Sequence, residues 1–354
     1  MSRSASVRSV ALVTVTIALV LGGGAVARAQ DAGGYHLARK IPVGGDGGWD
    51  YAVVDGDRLY TSHGSRLVVI DLTGDSVMGE VPNTNGIHGV AIAPELNRGF
   101  TSNGRDTSVT IFNLATLATI GTVHVTGANP DAIHYDVATR RIFTFNGRGE
   151  NATVIDAVTG SVLATIPLPG KPEFAQSDGN GRLYVNIETD TGQIVVIDTK
   201  AMREVSRYWL PGCEGPSGLA LDRENSRLFS ACGNSVMAVS DPGEKRVVTL
   251  IPIGPGVDAA AYDAATRLVF ASNGGNGTLT VARQDGADRY TVLGNVATQR
   301  GSRTMALDAR THRVYLASAE YGPAPAPTQP GGRPGRPPMV AGSFAILVME
   351  PAAR

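Results

Sequence analysis

Short apolar stretches rich in Val, Ile, Ala and aromatic residues recur along this chain, each closed by Asp or by a Gly- and Asn-containing turn. They fall into units. A first stretch ends in Asp, as in 217–222 (Ser-Gly-Leu-Ala-Leu-Asp); a second is built on Arg-Leu-Tyr or Arg-Leu-Phe; a third reads Val-Val-Ile-Asp. The first stretches end at residues 55, 93, 136, 178, 222, 263 and 308, so the intervals are 38, 43, 42, 44, 41 and 45. Their β-branched and aromatic content suits strands buried between neighbouring sheets. A strand-and-turn unit of this period, present seven times, predicts an all-β fold, a seven-bladed β-propeller of four-stranded blades.

Both ends of the chain bear on that picture. The seventh unit has a first stretch and two further strands, 314–317 and 344–349, but no outer strand. Residues 35–43 read as a strand ahead of the first unit, and the ring is expected to close by this N-terminal strand completing the last blade, which removes an exposed edge. The Asp residues of the turns, such as Asp156 in Asp-Ala-Val-Thr-Gly, are expected to accept backbone N–H groups. The charged residues of that turn face read as solvated. Residues 323–338 are Pro- and Gly-rich, too poor in apolar groups to order themselves, and are expected to form a flexible lid-like or tail-like loop inserted in the last blade.

Residues 1–29 break the pattern. Arg3 and Arg8 precede an apolar run over 10–21, and Ala27-Arg28-Ala29 offers a small-residue cleavage site, so 1–29 is expected to be a secretory signal peptide cut after Ala29. Residues 30–354 then form a single propeller, periplasmic or secreted, monomeric and without a membrane span. Removing Arg3, Arg8 and Arg28 leaves 28 basic against 32 acidic residues, which gives no electrostatic footprint for nucleic acid. In an oxidising compartment Cys213 and Cys232, flanking the fifth unit's first two strands, are expected to form a disulfide.

The Arg-Leu-Tyr strand, the Val-Val-Ile-Asp strand with its Thr-Gly turn, and the Pro-Asp or Pro-Ser-Gly start of the units resemble the YVTN-type seven-bladed repeat of YncE-like proteins. That resemblance implies an extracytoplasmic propeller and supplies no catalytic set. The sixth unit departs from it, reading Thr-Val-Ala-Arg at 280–283 in place of an Ile-Asp ending.

In a meander blade, the loops leading into the inner strands and those joining the second and third strands share one face. Around the axis this places Asp50, His88, Asp131, Glu173, Ser217, Asp258 and Arg303. His63, Asn103, Asn146, Asn273 and Glu320 lie one layer further out, and Arg300 lies beside Arg303. His63 and His88, on adjacent blades, form with Glu173 or Asp131 a donor set for a transition metal; the alternative is that each imidazole bonds a neighbouring loop. Arg303 either neutralises Asp258 and Asp50 or, as an alternative to Arg300, clamps a carboxylate while Glu173 or His88 acts as base. The leading expectation is a polar funnel that binds a small molecule, an ion or a protein. The alternative is a lactonase-like or metal-assisted hydrolase using His63, His88, Glu173 and Arg303, and DNA binding is less favoured.

Overall fold

The computed structural model describes Met1, residues 34–326 and residues 335–352; residues 2–29 of the expected leader and residues 327–334 of the Pro/Gly-rich loop fall outside the described residues. Seven four-stranded antiparallel sheets make the seven blades. In six of them the strands run in chain order from the axis outward: blade 1 over 52–81, blade 2 over 87–124, blade 3 over 130–167, blade 4 over 171–209, blade 5 over 216–252 and blade 6 over 257–297. Blade 7 takes three strands from 305–351, and its outer strand is Tyr35–Pro42, paired antiparallel with Ala345–Pro351. The ring therefore closes as the hydrophobic pattern predicts. The third strand of each blade shows why the units pack: Leu67, Val68, Val69 and Ile70 are all buried, since both sheet faces meet a neighbouring blade. Between blades 3 and 4, for example, Phe143, Phe145 and Val154 pack with Leu183, Val185 and Ile197.

The turn face is more than solvated punctuation, and here the sequence expectation needs correcting. In blades 1 to 3 the Arg that opens the second strand reaches to the next blade. Arg58 donates to the Leu114 carbonyl at 2.6 Å, Arg98 to the Ala157 carbonyl at 2.9 Å, and Arg141 to the Thr199 carbonyl at 2.6 Å. A long guanidinium at a fixed strand end is within reach of the neighbouring turn, so the recurring Arg acts as an inter-blade clasp. The Asp residues behave as expected: Asp156 Oδ1 accepts the Val158 and Thr159 N–H groups at 2.9 and 2.7 Å, and Asp198 and Asp241 repeat the arrangement.

Candidate functional site

The inner strands of blades 2 to 6 are irregular at the same place. Their pairing with the second strand slips at the axial end, between Ile87 and Val90, Pro130 and Ile133, Pro172 and Ala175, Pro216 and Leu219, and Val257 and Ala259. The residues inside these bulges are His88, Asp131, Glu173, Ser217 and Asp258. A bulge carries an extra residue without a ladder partner and redirects its side chain, which is how successive blades aim polar groups at one end of the axis. Blades 1 and 7 supply Asp50 and Arg303 just ahead of their inner strands. Serine hydroxyls of the second strands fix this arrangement: Ser62 Oγ accepts the Asp50 N–H and Ser102 Oγ the Gly89 N–H, at 2.8 and 2.9 Å. Gly218 follows the blade 5 bulge where a Cβ would lie 2.5 Å from the Ala259 Cα, so only glycine fits there.

These side chains form two connected groups. In the first, His88 Nδ1 lies 2.8 Å from Asp50 Oδ2 and 3.6 Å from Asp131 Oδ1, while Arg303 Nε donates to Asp258 Oδ2 at 2.7 Å and its Nη2 lies 3.9 Å from Asp50 Oδ1. In the second, Glu173 Oε1 lies 2.5 Å from Lys171 Nζ, and the Tyr51 hydroxyl donates to Glu173 Oε2 at 3.4 Å. Lys171 is shared, since it also contacts Glu188.

Carboxylates outnumber the cations that reach them. Burial and the neighbouring charge of Asp131 push the Glu173 carboxyl well above the usual carboxylate range, against the pull of Lys171. Burial likewise raises Asp131, which His88 opposes and Asp50 reinforces. Asp258 is raised by burial and by Asp50, against Arg303. Burial disfavours the His88 imidazolium, but the hydrogen bond to Asp50 and the charge of Asp131 outweigh it, so its pKa lies above the ordinary imidazole value.

Above the first group opens a cavity of about 660 Å3, walled by blades 7, 1, 2 and 3. Asp50, His88 and Arg303 line its floor, and Asn129, Arg105 and Arg148 its sides. Glycines 48, 64, 86 and 104 bring main chain to its wall. Gly104 leaves room for two side chains at once: a Cβ there would lie 2.7 Å from His88 Nε2 and 2.8 Å from Asn129 Oδ1.

The outer layer of expected site residues lies elsewhere. Asn103, Asn146 and Asn273 are buried and spend their amides inside their own blades, bonding Ser108 and Thr110, Asn151 and Thr153, and Thr278 and Thr280 respectively. His63 occupies the same slot in blade 1. Its ring is buried and stacked on Phe344, with centroids 4.0 Å apart and planes 7° from parallel. Burial, helped by Arg66, lowers its pKa. A side chain at the end of a second strand points between blades and away from the axis, so His63 does not join His88 and Glu173 in a donor set. Among the described residues, the His/Asp/Glu group whose ligand atoms lie within 4.8 Å of one another is Asp50, His88 and Asp131. Arg300 is exposed and does not line the cavity, and Glu173 lies beneath it, outside the lining.

Arg105, Arg148 and Lys171 are the site residues that sequence reasoning passed over. Arg105 and Arg148 each stand two places after a buried Asn, in Asn-Gly-Arg loops of adjacent blades, and that repeated triplet was the available signal. Cys213 and Cys232 form a disulfide on the blade 5 rim of this face.

The fold is that of a seven-bladed β-propeller, with this polar mouth at one end of its axis. No protein-family model matches the chain, and no curated protein matches it. Among solved structures the chain is similar to Kuenenia stuttgartiensis hydrazine synthase, at 15% identity over 77% of this chain and 92% of that one, with a TM-score of 0.69. It is also similar to U3-55K and to the WD40 repeats of RRP9, each at 11% identity and a TM-score of 0.71, over 87% and 88% of this chain and 97% of theirs. At these identities the likeness is one of fold, compatible with ligand or protein binding.

Proposed function

We propose that this is an extracytoplasmic, YVTN-type propeller that binds a small carboxylate- or phosphate-bearing ligand in the cavity over Asp50, His88 and Arg303. The observation that carries the reading is the pairing of two exposed guanidiniums, Arg105 and Arg148, on one wall of a roughly 660 Å3 pocket with a third, Arg303, at its floor. Arg303 is held by Asp258, whereas no side-chain hydrogen bond engages Arg105 or Arg148 among the described residues. Unpaired guanidiniums lining one pocket are suited to bidentate recognition of an oxyanion. The pocket has the size of a small-molecule site. The Arg3/Arg8 leader pattern and the Cys213–Cys232 bridge support the extracytoplasmic location.

Binding is favoured over turnover. Glu173, one candidate base, lies buried below the pocket, and His88, the other, is held between two carboxylates. The test is isothermal titration of the full chain, stripped of metal and desalted, with L-malate and with inorganic phosphate. The expected result is saturable binding of at least one of them, weakened about tenfold or more in the Arg105→Ala/Arg148→Ala double variant. Equal affinities in the double variant and the parent, or no binding of either anion, would overturn the reading.

A further inference from the structure

We propose that Asp50 and His88, at the floor of this cavity, and Asp131, which lies behind them outside its lining, hold a divalent first-row metal ion, of the zinc or manganese type, that completes the anion site. The inference rests on the reading of the cavity as a ligand pocket and names what lies at its base.

Geometry is the first support. Metal–ligand bonds of about 2.0–2.2 Å at tetrahedral to octahedral angles set neighbouring donor atoms roughly 3.0–3.4 Å apart. The distances from His88 Nδ1 to the two carboxylates, 2.8 and 3.6 Å, straddle that spacing. Both carboxylates face the same ring nitrogen. A hydrogen bond from Nδ1 satisfies Asp50 alone, and a single proton cannot serve both.

The second support is independent of that spacing. Asp131 is only 8% exposed, and among the described residues its carboxylate accepts no hydrogen bond. The cation within 4 Å of it, the His88 ring, already bonds Asp50, so this largely buried carboxylate is under-partnered. Asp131 is turned towards His88 and Asp50 by the blade 3 bulge, so an ion placed there supplies the missing partner and neutralises two clustered charges. The donor set, one imidazole and two carboxylates, matches first-row divalent ions better than calcium, which takes oxygen ligands. Behind it, Arg303 braces Asp50 and Asp258. Three protein ligands leave the cavity side of the ion open, where an oxyanion held by Arg105 and Arg148 would complete its coordination.

The experiment uses untagged full chain, stripped with EDTA and desalted, then titrated calorimetrically with zinc(II) and with manganese(II), with bound metal counted after gel filtration. About one equivalent of at least one metal is expected, with affinity falling roughly tenfold or more in His88→Gln and in Asp131→Asn. Both variants should keep the parental circular dichroism. Cobalt(II) loading should give d–d absorption bands that His88→Gln changes. Less than about a tenth of an equivalent of either metal, or unchanged affinity in both folded variants, overturns the proposal. Malate and phosphate titrations of the stripped protein separate the two readings. Anion binding without metal uptake removes only the ion, and loss of both removes the pocket reading as well.

Discussion

The two ends of the propeller axis carry similar side chains and use them in opposite ways. On the turn face Arg58, Arg98 and Arg141 each find a carbonyl of the next blade, and Asp156, Asp198 and Asp241 each accept two backbone N–H groups. Each of these charges has its own partner. At the mouth, Asp50, Asp131, Glu173 and Asp258 crowd around His88, Arg303 and a shared Lys171, and the carboxyl groups of Asp131, Glu173 and Asp258 are pushed up by burial and by one another. Composition alone does not separate the two ends; the number of partners per charge does. Satisfied polar networks stabilise a fold, whereas under-partnered ones mark places kept for a ligand.

The largest expected effect concerns the mouth's rim. Cys213 and Cys232 are 19 residues apart in sequence, and a cross-link closing a loop of that order stabilises a domain by about 3 kcal/mol. Replacing both by Ala should lower stability by that order in denaturant titration. If loss of the bridge also weakens anion binding while the turn-face variants below do not, the rim is set apart from the turns as the site's mechanical support.

The next effect is one of pH. Glu173, Asp131 and Asp258 have carboxyl groups whose pKa is raised in the fold, so the native state holds protons that the unfolded chain releases. Stability conferred by these groups is present below the unfolded carboxyl range, near pH 4, and is lost as pH rises from there through the raised native values. Glu173→Gln should flatten that decline by roughly 1–3 kcal/mol in urea titrations at a series of pH values. A parent whose stability rises steadily from pH 4 to 9 would mean that the carboxylates at the mouth are partnered as well as those of the turns.

The turn face gives the converse test. Asp156→Ala removes the acceptor of two backbone N–H groups and should cost about 1 kcal/mol, as loss of a helix cap does. Arg98→Met leaves two carbonyls of blade 3 without a donor and should cost about 1–2 kcal/mol. Neither should change affinity for the anion probes.

Much of this architecture was legible because a propeller repeats its hydrophobic pattern. Seven first strands, six of them closed by Asp, gave the blade number, and the surplus strand at 35–43 gave the closure, which pairs Tyr35–Pro42 with Ala345–Pro351. The axial ring was legible for the same reason, since the lead-in residues occupy equivalent places in each unit. The bulges were not, because a slip of one residue in register leaves the alternation of apolar residues almost untouched while redirecting His88, Asp131 and Glu173. His63 shows the opposite lesson. It shares its slot with Asn103, Asn146 and Asn273, each followed by Gly, and that equivalence already marked it as a blade-filling residue; its imidazole drew attention to the wrong place. Arg105 and Arg148 stood in loops correctly assigned to the mouth, but which side chain of a loop turns inward depends on backbone geometry that residue types do not encode.

The smallest stability effect carries the sharpest contrast. Arg105 and Arg148 are exposed, and no side-chain hydrogen bond holds either among the described residues, so replacing both by Ala should leave the denaturation midpoint within about 0.5 kcal/mol of the parent. The same double variant is expected to lose anion affinity about tenfold or more. Arg98→Met is expected to do the reverse, losing stability and keeping affinity. Removal of Arg side chains from the two ends of one axis would then move different observables, one in unfolding and one in calorimetric titration. If both changes instead lower stability equally and leave binding alone, Arg105 and Arg148 are clasps like Arg98, and the mouth is another set of turns.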